Sequence, residues 1–358
     1  MRLVFDVTPL SVPATGIGKY LLGTVAGIAR RPGDHEVVGV ALAGEQGLRE
    51  VAAALDGIAV DLRLVPLPRP QSVWRRTWSA LGRPGLERLV GSLDVLHLSD
   101  WWHPPQRGGL RSITLYDLVP LRFPEWTTWR SRAAHRLSYR HAARSCDLVF
   151  AISRYTRDDV VGRLGIPEER VRIAYPGIDP AFSPDGDRAD LPSPYVLTVG
   201  TLEPRKNLGT LLEAHRLLGD DLRLAVVGAA GWGAQAGPGG PGVIPLGYVA
   251  DADLPALYRG AAAFAFPSWF EGFGMPIVEA MACGVPVVAS AHPSLDEACG
   301  EAAVRAAPDS PEAFAAGIER ALAEREELVP RGLAHARRFS WDATAGVYLD
   351  AFEEAIGS

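Results

Sequence analysis

Short, nearly uninterrupted apolar runs recur along the chain, separated by stretches whose apolar residues return every three or four positions. "RLVFDV" (2–7), "HEVVGVAL" (35–42), "DVLHL" (94–98), "SITLYD" (112–117) and "DLVFAIS" (147–153) predict buried strands, each followed by a turn or a helix-like stretch. Apolar runs alternating with helices are the pattern of a parallel sheet covered on both faces. A Pro-rich connection, "GIDPAFSPDGDRADLPSPY" (177–195), interrupts the series, which then begins again. "YVLTVG" (195–200), "LRLAVVG" (222–228), "GVIPLG" (242–247), "AAAFAFP" (261–267) and "VPVVAS" (285–290) predict a second doubly wound domain. The segment "FSWDATAGVYLDAFEEA" (339–355) predicts one amphipathic helix with Ser340 as its N-cap. The expected fold class is α/β, with two doubly wound Rossmann-like domains facing across a cleft. Their expected bounds are 1–178 and 195–338, with a linker at 179–194 and the terminal helix at 339–358. In open α/β sheets ligands bind beyond the carboxyl ends of strands, so chemistry is sought in the loops there.

Three such loops qualify. "PATGIGKY" (13–20) is a glycine-rich turn, with Gly16 and Gly18, running into a helix whose N-terminus can meet an anion. It departs from the dinucleotide fingerprint by lacking the third Gly, and a simple turn is the alternative. "VGTLEPRKNLGTLLEAHRLL" (199–218) sets Arg205 and Lys206 beside a helix start, with Asn207 as the expected N-cap. A guanidinium fork and an ammonium there suit a diphosphate; a solvated basic turn is the plainer reading. "AAAFAFPSWFEGFGMPIVEAMACG" (261–284) gives a strand, an aromatic loop with Glu271, then a helix with Pro276 near its start and Gly284 just past its end. Glu279, in that helix, can accept two ribose hydroxyls while the amides of residues 273 to 276 face an anion. Glu271, further out, would reach a sugar on the distal phosphate. As isolated acids, one complements a helix dipole and the other is a surface charge.

Composition narrows the classes. The 358 residues exceed one ordinary core, and 47% hydrophobic with 22% charged residues describes a globular protein with no apolar stretch long enough to span a membrane. "MRLVFDVTPL" reads as a first buried strand rather than a leader. Cys146, Cys283 and Cys299 lack metal-ligand spacing and read as reduced thiols of a cytoplasmic protein. The net charge of −6 hides a segment, 69–157, with fifteen Arg against six acids. Only Lys19 and Lys206 represent lysine, and each sits in one of the candidate anion loops.

Taken together, "VGTLEPRKN", "GYVADADLPALYRGA" and "PSWFEGFGMPIVEAMACGVPVVAS", with "TGIGKY", "DVLHL", "YDLVPLRFPE" and "AISRYTRDDV" in the first half, resemble the retaining GT-B glycosyltransferases of family 4 and their E-x7-E motif. The resemblance implies a nucleotide diphosphate sugar as donor substrate and no other cofactor. It implies that Glu279 holds the ribose, Lys206 and Arg205 the diphosphate, and Glu271 the sugar hydroxyls. Gly200, Thr201 and the backbone at Phe273 and Gly274 would line the donor, Gly16 and Gly18 would close over it, and the base would rest near Tyr248. Asp117 is carried over as a catalytic position, and the terminal helix as one crossing back to the first domain. Two positions depart from the pattern: Tyr116 stands before Asp117 where many members have His, and Thr201 follows Gly200 where members often have Arg.

The resemblance further implies retention of configuration by front-face displacement, with the protein supplying positioning and positive charge. "DAD" (251–253) reads as the start of a helix capped by Asp251 or Asp253 rather than as a metal motif, so no metal is expected. The acceptor, a sugar, a lipid-linked or a natural-product hydroxyl, is assigned to the first domain, with Tyr116, Trp101 and Trp102 as candidates. Six of the nine Trp fall within 74–129, and "SVWRRTWSALGRPGLERL" (72–89) could form a basic amphipathic helix on the inner membrane face, an aromatic pocket wall or ordinary packing. No nucleic-acid module is present. The competing readings are a GT-B phosphorylase or epimerase, and a silent carbohydrate-binding subunit.

Overall fold

The structure, a computed structural model, describes residues 1–12, 16–68, 71–99, 102–219, 221–229, 231 and 239–357, apart from the side chains of 71, 72 and 76. Every apolar run becomes a strand. In the first sheet these are β1 (Arg2–Asp6), β2 (Glu36–Ala43), β3 (Asp61–Pro66), β4 (Val95–Leu98), β5 (Leu110–Leu115), β6 (Leu148–Ala151) and β7 (Val171–Ile173). Their order is β3-β2-β1-β4-β5-β6-β7, all parallel. The second sheet holds β8 (Tyr195–Val199), β9 (Arg223–Val227), β10 (Val243–Gly247), β11 (Ala263–Phe266), β12 (Val287–Ser290) and β13 (Ala303–Ala306), ordered β10-β9-β8-β11-β12-β13 and again parallel. Central strands β1, β4, β6, β8, β11 and β12 are buried almost throughout, which is why they announce themselves as apolar runs.

The chain divides into two compact units, Met1–Gly177 with Ser340–Ser358, and Ile178–Phe339. Residues just after Gly177 pack on the second unit: the Arg259 Nε donates to the Asp187 carbonyl at 2.7 Å, and the Ala189 amide to the Ala256 carbonyl at 3.0 Å. "SVWRRTWSALGRPGLERL" is not one helix. It breaks after the helix Gln71–Leu81, and Arg75 turns inward to the Leu42 carbonyl at 2.8 Å.

The helix Trp341–Gly357 belongs to the first unit, and the Ser340 hydroxyl accepts from the Ala343 amide at 3.1 Å, as its N-cap role predicts. It lies against the helix Gly16–Arg30, whose Gly23 and Gly27 leave room for Trp341: a Cβ at Gly23 would stand 2.2 Å from the indole. Tyr348 stacks on Phe150 with ring centroids 3.8 Å apart, and its hydroxyl meets Thr114 Oγ1. From there a buried relay continues to His97 Nε2 (3.0 Å), from His97 Nδ1 to Ser112 Oγ (2.9 Å), and from Ser112 to the Leu96 carbonyl (3.4 Å). Ser112 donates to the Leu96 carbonyl and so accepts from His97 Nδ1, which leaves Nε2 of the neutral ring to accept from Thr114.

Burial holds His97 at about 3, and burial with the charges of His141 and Arg111 holds His103 at about 3 as well. An unfolded chain takes up those protons near pH 6.5. The two neutral rings therefore contribute stability that is complete above pH 6.5 and is lost as pH falls toward 3. At pH 5 each is expected to cost the fold about 2 kcal/mol. Denaturant unfolding at pH 7 and pH 5 checks this, and His103→Gln should remove about half of the contribution of the pair.

Candidate active site

β8 delivers Gly200 to the carboxyl edge of the second sheet, and a 3-10 turn, Pro204–Lys206, leads into the helix Leu208–Leu217. Between them Asn207 takes a left-handed conformation (φ 55°), which Asn tolerates better than most residues. Asn207 stands at the N-cap position, yet its side chain does not cap the helix. Its amide nitrogen donates to the Pro267 carbonyl at 3.1 Å and the Pro308 carbonyl at 2.6 Å, while its oxygen accepts from Thr210. It fastens the β8 loop to the loop that leaves β11.

That second loop carries Glu271. The Trp269 amide donates to the Arg205 carbonyl (2.9 Å), and Arg205 Nη1 donates to the Phe270 carbonyl (2.7 Å). The Glu271 amide donates to Ser294 Oγ at 3.2 Å; Ser294 in turn faces His292 Nδ1 at 2.9 Å. The carboxylate so positioned is buried and receives two cations, Arg205 Nη1 at 2.5 Å and Lys206 Nζ at 2.7 Å. Burial alone would raise its pKa; Arg205 and Lys206 outweigh that and hold it at about 2. Burial and the like charge of Arg205 lower Lys206 despite the pull of Glu271, so its proton is held less tightly than that of a free lysine. The Lys206 ammonium also sits 5.3 Å from the Phe266 ring centroid. A small recess at the carboxyl ends of β8, β9 and β11 is lined by Gly200, Leu202, Lys206, Val227, Phe266 and Ser268.

Arg205 and Lys206 differ in what remains to them. Arg205 spends its fork on the protein: Nε and Nη2 donate to Glu203 (3.1 and 2.7 Å), Nη1 to Phe270 and Glu271. Most of its five N–H groups are thus engaged within the protein, which leaves little of the fork for the diphosphate that the resemblance assigns to it. Lys206 has one such bond, to Glu271, among its three donors.

Gly274 begins the helix Met275–Ala282 at φ 102°, a conformation that favours Gly. The expectation that the amides of residues 273 to 276 face an anion loses one donor here, because Pro276 has no N–H. Glu279 is buried on this helix, 3% exposed, and Oε2 accepts from the Tyr258 hydroxyl at 2.9 Å. Burial, then Glu279 itself, pushes Tyr258 well above its ordinary pKa, so it serves as a fixed donor. Phe273 is buried against Phe339, Thr201 is exposed, and Tyr248 is exposed just after the edge strand β10. Asp251 and Asp253 are both exposed, and Asp253 holds the N-cap position of the helix Leu254–Gly260 without a capping bond. Tyr258, Ser294 and His292 escaped the sequence reading; a hydroxyl or imidazole in a loop carries no local pattern that marks it as a carboxylate's partner.

The first unit holds the remaining candidates. Gly16 and Gly18 lie inside the first turn of the helix Gly16–Arg30, not in a loop as expected, and residues 13–15 of that segment lie outside the described residues. Asp117 folds back on its own loop, accepting from the Val119 amide at 2.9 Å, while the Tyr116 ring meets Tyr20 edge-on at 5.4 Å. Trp102 is 4% exposed and packs on Trp78, so it is a core residue rather than a stacking surface for an acceptor. Trp101 lies outside the described residues.

Comparison with known proteins gives two family matches: "Glycosyltransferase Family 4" over residues 14–182 and "Glycosyl transferases group 1" over 193–324. The chain is 30% identical to the O-antigen chain mannosyltransferase B of Escherichia coli, over 99% of this chain and all of that protein. Among solved structures it is similar to sucrose-phosphate synthase from Thermosynechococcus elongatus (TM-score 0.74, 18% identity, 99% of each chain). It is also similar to Anabaena Alr3699/HepE in complex with UDP-glucose (TM-score 0.72, 17% identity, 99% of this chain and all of that one).

Proposed function

Because the chain belongs to the family 4 glycosyltransferases and has their two-unit α/β architecture of the GT-B type, we propose that it transfers a hexose from a nucleotide diphosphate sugar to an acceptor hydroxyl with retention of configuration. The observation that carries this reading is the buried cluster of Glu271, Arg205 and Lys206 at the carboxyl edge of the second sheet. Mannose is the first sugar to test, since the relative at 30% identity is a mannosyltransferase of a saccharide chain. The acceptor is then a sugar hydroxyl, free or lipid-linked.

In this reading the acceptor oxygen attacks the anomeric carbon on the face from which the diphosphate departs. The carbon–oxygen bond to phosphate breaks, and the acceptor proton passes to the leaving diphosphate. Lys206 turns its two remaining N–H donors toward the charge that develops there. Glu271 exchanges part of its ion pairing for sugar hydroxyls, and Arg205 acts as a positioning residue that keeps the Glu271 loop in place. Glu279, oriented by Tyr258, takes the ribose. Positive charge comes from side chains, so no metal is needed. Transfer assays with UDP-, GDP-, ADP- and dTDP-hexoses in the presence of EDTA test the whole; activity that requires added manganese would refute the metal-free part. Glu279→Ala is expected to weaken nucleotide binding by about tenfold or more, the range for losing a hydrogen bond to a charged group, and calorimetry with the preferred nucleotide diphosphate measures it.

A further inference from the structure

The helix Trp129–Ser145 carries five Arg and no acid. Arg136, Arg140 and Arg144 follow at four-residue spacing, all exposed, and none makes an ion pair or hydrogen bond among the described residues. Like charges so spaced repel one another and weaken a helix. The dipole at the helix C-terminus compensates Arg144 in the last turn but reaches neither Arg136 nor Arg140. With Arg163 of the helix Arg154–Leu164, these three line a concavity of about 390 Å³ floored by Tyr139 and Leu164. Arg163 is anchored to Asp159, and the Tyr139 hydroxyl to the Asp117 carbonyl, so the two fixed groups frame three uncommitted guanidinium groups.

The same helix exposes apolar bulk beside the arginines. Trp129 is 67% and Leu137 57% exposed, and with Ala133 they follow at four-residue spacing along a neighbouring stripe. The helix Gln71–Leu81 also exposes apolar bulk, at Val73, Trp74 and Leu81. The two helices are bridged through one segment: Trp78 packs on Trp102, Ser79 donates to the His103 carbonyl, and His103 meets Ser138 and stacks on His141. Arginines with unsatisfied donors beside exposed Trp and Leu match the headgroup layer of an anionic bilayer, where phosphate oxygens lie next to the acyl boundary.

We propose that this face is a phospholipid-binding surface. Arg136, Arg140, Arg144 and Arg163 take lipid phosphoryl groups into the concavity while Trp129 and Leu137 enter the interface. Sedimentation with vesicles of phosphatidylcholine, with and without phosphatidylglycerol, tests it at low salt. The protein should bind only the anionic vesicles. The triple substitution Arg136→Ala, Arg140→Ala and Arg144→Ala should weaken binding by about fivefold per arginine, on the order of 100-fold in all. Leu137→Ser should weaken it about tenfold with no change of charge. Replacing Arg49, Arg216 and Arg331 by Ala removes the same charge elsewhere and should leave binding intact. All these side chains are exposed, and circular dichroism checks that the variants fold. Absence of binding to anionic vesicles, or a triple variant that binds like the wild type, overturns the proposal. Pyrophosphate that raises the wild-type Tm but not that of the triple variant, with no vesicle binding, also overturns it and makes this a soluble-phosphate site.

Discussion

Lys206→Ala is expected to lower kcat by about 10²-fold or more, with a smaller change in donor KM. The lost ammonium acts on charge that exists fully only while the diphosphate leaves, so its removal falls on the transition state more than on the bound donor. About 2.7 kcal/mol corresponds to that factor, within reach of one charged donor in a water-poor site. No replacement is at hand. Thr201 occupies the place after the strand glycine and carries no charge, and Arg205 is held by Glu203, Phe270 and Glu271. Initial rates over a range of donor concentrations separate the two constants. A variant whose KM rises while kcat stays put would assign Lys206 to ground-state binding instead.

Glu271→Ala should cost stability as well as turnover, and here the two single variants part company. Removing the carboxylate leaves Lys206 mostly buried beside Arg205 with no counter-charge of its own, while Arg205 keeps Glu203. Breaking a buried pair in this way costs about 3–5 kcal/mol. For a unit of this size that lowers Tm by on the order of 10 °C. Lys206→Ala leaves Glu271 still bound to Arg205 and should lower Tm far less. Calorimetric scans of the two variants side by side check the asymmetry. Equal losses would mean that Glu271 is not the hub of the cluster.

The parts of this site legible in the sequence were those set by local pattern. Strands β8 and β11 are apolar throughout because helices cover both faces, and the residues just past them had to lie at one sheet edge. The strands absent from the sequence reading, β3, β7 and β13, are all sheet edges, where partly exposed residues dilute the apolar signal. That Glu271 would meet Lys206 depends on β8 and β11 being neighbours, with Ala263 opposite Val196, and strand order leaves no mark on either segment. The same holds for Arg205: its type suited a phosphate, but only the fold reveals that Glu203 and the Phe270 carbonyl reach it first. Trp102 misled for a related reason, since an indole in a basic, aromatic segment looks the same whether it faces a ligand or the core.

The helix Trp341–Gly357 imposes an order on biosynthesis. Tyr348 and Phe352 close the interior around His97 and Phe150, yet the ribosome makes them more than 160 residues after Gly177. The nascent first lobe therefore waits with that seam unsealed while the intervening lobe emerges as one uninterrupted stretch. Co-translational collapse should run backwards relative to position in the gene, the later lobe maturing first and the earlier one only once residues 340–358 have emerged. Removal of residues 340–358 thus acts on the amino-terminal lobe, the one most remote from them in sequence.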